Sequence, residues 1–328
     1  GGILEPFTDE DLAGVGLSPE DFNQAAWEAQ QVDGQNIAIP LDTHPFVLFF
    51  NREVCEEADL VESDGRLTNL DGLDTFESAL EAISGVTGGN AITLANVGEM
   101  STPWRFFSTI YNQFDDATPF LSDGGAELTV NEDLFIEVMS MVQKWAENGW
   151  LNTGLDYAGS QTEMFRGNAG MYMQGEWEIS TAQTIEGLDF GMQPIPTLFD
   201  KPAAQADSHT FVLPRKDRTP EERQQTMTFI KSMLDQSLDW AEGGHVPTYL
   251  PAFESEEYRQ MEPQYDYASA AEVAAYNDPA WYGGSGSTFE ATVGAQLALV
   301  QQLAISPQAA LSAIRAQLET YLSTPSPL

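Results

Sequence analysis

Apolar and polar positions along the chain follow two alternating patterns, one typical of strands and one typical of helices. Short apolar runs predict strands, and longer amphipathic stretches predict helices. The predicted strands cover 36–40, 46–50, 91–95, 190–196 and 207–214. The predicted helices cover 52–60, 75–84, 98–113, 131–148, 220–235, 290–304 and 307–322. Strands that alternate with helices indicate an α/β protein.

The stretch 165–180, FRGNAGMYMQGEWEIS, contains a helix end, a glycine turn, a short strand and a second turn. Glu176 and Trp177 follow the strand, at the edge where open α/β sheets bind ligands. An indole offers a flat apolar face and a carboxylate offers hydrogen-bond acceptors, a combination that suits a sugar ring. The alternative is that Trp177 belongs to the core and Glu176 to a solvated turn.

A polar segment, 41–45, separates the first two predicted strands and carries Asp42 and His44. Pro45 keeps His44 extended, because a residue before proline is biased away from the helical region. An acid and a histidine between two strands predict a hinge or the edge of a site.

Length and charge narrow the class of protein. A chain of 328 residues favours two domains over one. The 13 Lys and Arg against 51 Asp and Glu give a net charge of −38, spread along the whole chain. Such a surface repels phosphate backbones and anionic lipid, so we exclude nucleic acid and membrane surfaces as partners. The acidity fits a protein working outside the cytoplasm or at high salt, or a lineage with acidic surfaces.

Several familiar motifs are missing from the chain. The single cysteine, Cys55, excludes an intrachain disulfide framework and a cysteine metal site. No apolar run approaches the roughly 18 residues of a membrane span. No P-loop, dinucleotide fingerprint or nucleophile elbow is present. The chain begins at Gly1 without a methionine, which suggests a processing boundary, so a missing signal peptide says little.

Five blocks, in a fixed order, carry a family resemblance. They are 34–60 (GQNIAIPLDTHPFVLFFNREVCEEADL), 165–179, 190–196 (FGMQPIP), 219–247 and 306–311 (SPQAAL). Together they resemble the maltose-binding-protein-like solute-binding family, the extracellular sugar-binding subunits of ABC importers. Phe49, Phe50 and Arg52 replace the usual tyrosines and lysine, and Asp59 stands where glycine is common.

The resemblance implies an α/β, periplasmic-binding-protein-like (type II) fold of two lobes, with ligand in the interlobe cleft. Residues 1–44 and 210–253 would form the first lobe, and 45–209 and 254–328 the second. Because family members carry further elements before the segment found here, the first lobe is expected to be incomplete.

The resemblance also implies a set of ligand-binding residues. Trp177 matches a tryptophan that commonly stacks on sugar, and Trp104 opens a second-lobe helix that would point at the ligand. The expected set is Asp42, His44, Trp104, Glu176, Trp177, Asp207, His209, His245, Trp281 and Tyr282.

The three histidines all fall in the expected cleft or hinge segments. Three imidazoles can bind zinc, but the sequence spacings are long and no pair shares a helical turn. We therefore predict no metal and no cofactor, and hydrogen bonding to ligand hydroxyls instead. Asp42 and Glu176 also resemble a glycosidase pair, although carboxylates that bind hydroxyls are the simpler interpretation.

The expected function is capture of a carbohydrate, of oligosaccharide size, and its delivery to a membrane permease without catalysis. The protein would be monomeric and extracellular or periplasmic, with a lipid anchor in its precursor. The alternatives are an acidic carbohydrate hydrolase and a solute-binding protein for a ligand other than sugar.

Overall fold

A computed structural model describes residues 2–326, built from short strands and longer helices. The strands are β1 Leu4–Glu5, β2 Gln31–Val32, β3 Gln35–Asn36, β4 Ala38–Pro40, β5 Asp42–Asn51, β6 Ile92–Thr93, β7 Leu121–Ser122, β8 Glu127–Leu128, β9 Met171–Gly175, β10 Phe190–Pro194, β11 Ala204–Asp207, β12 Thr210–Pro214, β13 Val246–Pro247 and β14 Ala274–Ala275. The α-helices are α1 Asp9–Ala13, α2 Gln24–Glu28, α3 Arg52–Glu57, α4 Leu73–Thr87, α5 Ser101–Tyr111, α6 Glu132–Glu147, α7 Tyr157–Phe165, α8 Ile179–Ala182, α9 Pro220–Asp235, α10 Ser237–Ala241, α11 Leu250–Phe253, α12 Glu256–Arg259, α13 Thr288–Gln301 and α14 Pro307–Leu322.

Strand β5 is the centre of the larger sheet, and it pairs with four other strands. Strands β9 and β10 lie along its C-terminal half, where Phe46 is opposite Gly175. Strands β11 and β13 lie along its N-terminal half, where His44 is opposite Asp207. The apolar run within β5 is buried because both faces of the sheet are covered. Its polar N-terminal end therefore meets residues from two other strands.

A smaller sheet has β12 between β1 and β4. The chain crosses directly between the two sheets twice, from β4 into β5 and from β11 into β12, and it returns to the larger sheet at β13 by way of α9 and α10. These crossings lie side by side, since the Leu41 N–H donates to the His209 carbonyl at 2.8 Å. The crossings therefore form the junction of the two sheets.

Two main buried clusters correspond to the two sheets. The smaller contains Phe22, Trp27, Ile39 and Leu234 among others, all from within 7–41 and 213–249. The larger draws on residues from 46 to 198 and from 282 to 318. The predicted lobe boundaries stay a prediction, which this distribution supports. Ala241 and Val246 differ, because they pack with residues of the predicted second lobe.

Helix α13 packs closely against the start of α5 and so fixes the direction of α5. A Cβ on Gly294 would lie 1.8 Å from the Met100 carbonyl oxygen, so only glycine allows this approach. Among residues 2–326, no helix combines the length and apolar character needed to cross a bilayer.

Several predicted elements are confirmed and others need correction. Helices 220–235 and 307–322 have the predicted bounds, capped by Thr219 and Ser306. The segment 41–45, predicted to separate two strands, is instead mostly part of β5, because β11 and β13 supply it with partners. The predicted strand 207–214 is two strands, interrupted at 208–209 where the chain crosses between sheets.

Candidate functional site

Seven of the ten predicted site residues come together where the two sheets meet. They are Asp42, His44, Glu176, Trp177, Asp207, His209 and His245, and with Arg105 and Trp240 they form what we call the junction site. Strand pairing explains the convergence, because β11 brings Asp207 opposite His44 and β13 follows directly after His245. Glu176 and Trp177 enter from the turn that follows β9.

Asp42 is fully buried and accepts hydrogen bonds from three donors. The His209 backbone N–H donates at 2.7 Å, the His209 ring Nδ1 lies at 2.8 Å, and the Trp240 indole N–H donates at 2.6 Å. Burial opposes ionisation of Asp42, but the His209 hydrogen bond and the neighbouring histidines outweigh it. The pKa of the carboxyl therefore lies below its ordinary value, and Asp42 carries a negative charge.

His44 lies at the centre of the row of rings. Its ring centroid is 4.7 Å from that of His209, 5.8 Å from that of His245 and 5.7 Å from that of Trp177. Burial lowers the pKa of His44 to about 4, so the ring is neutral at pH 7. Its Nδ1 is buried without a hydrogen-bond partner.

The pKa values of the other two histidines are shifted in opposite directions. Hydrogen bonding to Asp42 raises the pKa of His209, whereas burial lowers the pKa of His245. His245 stacks on the Trp240 indole, with centroids 4.9 Å apart and planes at 15°. His209 has a side chain that is 52% exposed, so it is the part of the cluster most open to solvent.

Glu176 is fully buried, and neither of its carboxyl oxygens has a hydrogen-bond partner. The Nδ1 atom of His245 lies 3.0 Å from Oε1, but this close approach lacks hydrogen-bond geometry. Burial, reinforced by the charge of Asp42, raises the pKa of Glu176 well above its ordinary value. The two buried carboxyls of the site therefore have opposite protonation preferences.

Trp177 is held in one orientation by its neighbours. Its indole N–H donates to the Tyr157 hydroxyl at 2.9 Å, and the Arg105 guanidinium carbon lies 5.0 Å from the ring centroid, over its face. The ring lies against the backbone of Gly175, where an added Cβ would come within 2.0 Å of ring carbons. Arg105 also reaches Asp207 at 3.5 Å.

The sequence analysis missed Arg105 and Trp240. Trp240 lies on the five-residue helix α10 and is 40% exposed, an uncommon degree of exposure for a tryptophan. The available signal was a tryptophan five positions before a predicted site histidine, on an element too short to show helical periodicity.

Trp104, Trp281 and Tyr282 lie apart from the junction site, in an aromatic core on the far side of α5. Trp104 is 4% exposed, its indole N–H donates to Asn277 Oδ1 at 2.8 Å, and its ring packs edge-on against Phe289. The structure thus gives Trp104 a packing role, because the next residue on α5 is the one that faces the site.

Tyr282 is also buried, donates to the Gly125 carbonyl at 2.8 Å and stacks on Tyr321. Trp281 packs edge-on against Tyr282. Both rings therefore have partners within this core, and neither contacts the histidines.

Two cavities among the described residues lie away from the junction site. One of about 590 Å³ lies between α6 and α14 and is lined by Ile136 and Leu311, and one of about 400 Å³ lies beside β10 and is lined by Arg66 and Pro194. Donor atoms of Asp42, His44 and His209 lie close enough together to hold a metal ion.

A polar and aromatic site at the crossing between two α/β units defines a two-lobed binding protein. The chain belongs to the bacterial extracellular solute-binding protein family, whose sequence profile matches residues 1–266. The family and its structural neighbours are substrate-binding proteins. A search of curated protein sequences gives no match.

Solved structures share this fold at low sequence identity. The sugar-binding protein MalE of Xanthomonas citri has a TM-score of 0.79 and 16% identity, covering 98% of this chain and 79% of its own. The cyclic α-maltosyl-1,6-maltose binding protein of Arthrobacter globiformis has a TM-score of 0.74 and 18% identity, with 98% and 78% coverage. UgpB of Mycobacterium tuberculosis, solved with glycerophosphocholine, has a TM-score of 0.77 and 15% identity, with 98% and 79% coverage.

Proposed function

We propose that this protein binds a carbohydrate of oligosaccharide size at the junction site and delivers it to the membrane permease of an ABC importer. One observation carries the proposal: a continuous row of rings, Trp177, His44, His209 and Trp240, crosses the junction, with neighbouring centroids 4.7–5.7 Å apart. Indoles at both ends supply apolar faces, and the imidazoles between them supply polar edges. A sugar ring presents the complementary pattern of C–H faces and hydroxyl edges.

The two indoles have different roles in this proposal. One face of Trp240 is covered by His245, and the residue is 40% exposed, so Trp240 is the accessible stacking surface. Trp177 has Arg105 over its ring, so a sugar that stacks there takes the place of the guanidinium. Ligand contacts on both sides of the crossings would favour closure of the lobes, a hinge motion driven by differential binding.

The binding test uses isothermal titration calorimetry with a panel of mono- and oligosaccharides, followed by the variants Trp240→Ala and Trp177→Ala. We expect each variant to lose at least about tenfold in affinity, since stacking on an aromatic ring is worth more than about 1 kcal/mol. Phe229→Ala removes another exposed aromatic ring, 61% exposed on α9, and should leave affinity unchanged. Unchanged affinity in both tryptophan variants would remove the junction site from sugar binding.

The hydrolase alternative requires Asp42 and Glu176 to flank a glycosidic bond. Both carboxyls are fully buried, which argues against their flanking a glycosidic bond in the way a hydrolase requires. Chromatography after long incubation with the bound oligosaccharide should recover it intact. Release of shorter sugars would instead support an enzyme.

A ligand other than sugar remains the second alternative, and the same panel tests it. Glycerophosphocholine and a polyamine are included because of the phosphodiester ligand of the Mycobacterium structure and the acidic surface of this chain. Binding of either one, with no sugar binding, would contradict the carbohydrate proposal while leaving the site in place.

The remaining features of the proposal concern assembly and location. The protein works outside the cytoplasmic membrane as a monomer, with the acidic surface keeping copies apart, and a lipid anchor in the precursor holds it near the permease. Light scattering should give the mass of one chain, 36.0 kDa for these residues. A stable dimer would contradict this part of the proposal.

A further inference from the structure

The crossing strands bring together three side chains that are typical metal ligands. One donor atom from each of Asp42, His44 and His209 lies within 4.8 Å of the other two. Asp42 and His44 are two positions apart on β5 and so share a face of the strand. His209 comes from the second crossing, which is bonded to the first through Leu41. Backbone pairing, rather than side-chain flexibility, therefore sets the spacing of the three ligands.

Unsatisfied polar atoms surround this group. His44 Nδ1 is buried with no hydrogen-bond partner, and both oxygens of the fully buried Glu176 are also without one. Buried polar groups without partners are costly, and a bound ion is one recognised explanation for them. Glu176 is linked to the group through His245 Nδ1, which lies 3.0 Å from Glu176 and 3.4 Å from Asp42. The unpartnered Nδ1 of His44 indicates a site that a cation would complete.

Hydrogen bonds from neighbouring groups hold the Asp42 carboxylate in place. The Trp240 indole and the His209 backbone N–H both donate to Asp42 and fix the carboxylate plane. Hydrogen bonds that orient the ligands from outside are a general feature of metal sites.

We propose that Asp42, His44 and His209 bind one divalent transition-metal ion, of which Zn²⁺ is the representative, with a coordination position open to the junction. Two imidazoles and one carboxylate are a donor set for Zn²⁺ and related ions, whereas Mg²⁺ and Ca²⁺ prefer all-oxygen ligands. Zn–N and Zn–O bonds of about 2.0–2.2 Å place tetrahedral donors about 3.4 Å apart, so side-chain adjustment completes the site from donor atoms that lie within 4.8 Å of one another. In that adjustment His209 exchanges its hydrogen bond to Asp42 for the metal, and its 52% exposed side chain provides the freedom to move and the route of entry.

The metal site shares His44 and His209 with the row of rings proposed to bind carbohydrate, so the two proposals need separate measurements. Sugar titrations in the presence of EDTA and metal titrations without sugar give separate answers. Failure of either proposal therefore leaves the other standing.

The experiment titrates the tag-free, EDTA-treated and dialysed full chain with Zn²⁺ by calorimetry and with Co²⁺ by visible absorption, both in excess Mg²⁺. We expect one ion per chain with a micromolar or tighter Kd, and visible Co²⁺ bands typical of low-coordinate nitrogen and oxygen ligands. Weak binding at many sites, or binding abolished by Mg²⁺, would show adventitious ions on the acidic surface only and would overturn the proposal.

Single-residue variants identify which side chains bind the metal ion. His44→Gln and His209→Gln should each lower Zn²⁺ affinity by more than about 100-fold, since outer-shell contacts alone are worth about 10- to 100-fold. His245→Gln removes an outer contact instead of a ligand, because His245 Nδ1 lies 3.4 Å from Asp42 but outside the proposed ligand set, so the expected loss is smaller, about tenfold. An equal loss in His245→Gln would overturn this assignment.

A second measurement covers variants that fold poorly. Zn²⁺ added to the unmodified chain should shift the imidazole NMR signals of His44 and His209 most, and uniform or absent shifts would also contradict the proposal.

Discussion

The junction site and the aromatic core around Trp104 both combine aromatic rings with a fully buried glutamate. In the core, Glu290 accepts hydrogen bonds from Asn277, Ser101 and the Gly286 backbone, so its carboxyl is satisfied. At the junction, Glu176 has no hydrogen-bond partner. The same residue types thus serve two purposes, and the presence of partners distinguishes them. The partnered carboxyl of Glu290 supports packing, whereas the unpartnered carboxyl of Glu176 indicates a place for binding.

Removing the core indole should have the largest effect on stability. Trp104→Ala deletes a ring packed against Phe289 and Phe120, and we expect a loss of about 4 kcal/mol in unfolding free energy. Trp240→Ala, at the 40% exposed site indole, should cost less, about 2 kcal/mol, because Asp42 loses one of its three donors. Urea denaturation followed by circular dichroism measures both. Similar costs for the two variants would erase the distinction between the regions.

The next largest effect concerns Asp42, whose charge is supported by several donors. Asp42→Asn at pH 7 should cost about 3 kcal/mol, because His209 and Trp240 lose a charged acceptor. Asp42 has a lowered pKa, so its contribution is present above the ordinary pKa of 3.8 and is lost as the pH falls through the folded-state value. Denaturation at pH 7 and pH 3 should therefore show a smaller difference between the two proteins at pH 3.

Glu176→Gln provides the matched contrast, because the second buried carboxyl has a raised pKa. As pH rises above 4.5, the unfolded chain ionises at Glu176 while the folded chain retains the proton, so the native protein loses stability. The glutamine variant avoids this loss. Its stability relative to the unmodified protein should increase between pH 5 and pH 8, and a constant difference would contradict the raised pKa.

A smaller effect depends on the neutral ring of His44. Between pH 7 and pH 5, the unfolded chain protonates this histidine near 6.5 while the folded chain does not until about 4. The unmodified protein should therefore lose about 2 kcal/mol more than His44→Gln over this range. Denaturation is measured in EDTA to exclude metal effects. Equal losses in the two proteins would mean that His44 titrates normally in the fold.

The smallest expected effect comes from the position of Trp177. Gly175→Ala places a methyl group against the indole and should cost about 1 kcal/mol while weakening sugar affinity. Gly85→Ala is the control, because a Cβ there meets nothing within 4 Å on α4, and it should be neutral or stabilising. Intrinsic fluorescence reports whether the indole has moved. An unchanged affinity in Gly175→Ala would show that the position of Trp177 is unimportant for binding.

The sequence predicted those parts of the fold that are determined by neighbouring residues in the chain. Caps at Thr219 and Ser306 determined two helices, and the apolar run in β5 determined the central strand. The continuation of β5 through Asp42 was not predictable, because it depends on partners from β11 and β13, which are distant in sequence.

The candidate site was predicted only in part for a similar reason. Trp104 and Arg105 are neighbours on α5, and which one faces the core depends on how α13 packs against that helix. Family resemblance emphasised the indole, whereas the packing directs Arg105 to the junction. Trp240 lies on a helix too short for a periodic signal to place it.

The hydrogen bond between the two crossings has a practical consequence for spectroscopy. The lobe closure proposed above would change the surroundings of His44 and His209, which lie at the two crossings joined through Leu41. Because the chain contains three histidines and all of them lie at this pivot, isotope labelling of histidine alone yields a spectrum with only hinge reporters. The histidine signals would thus report the proposed opening and closing of the lobes without an attached dye.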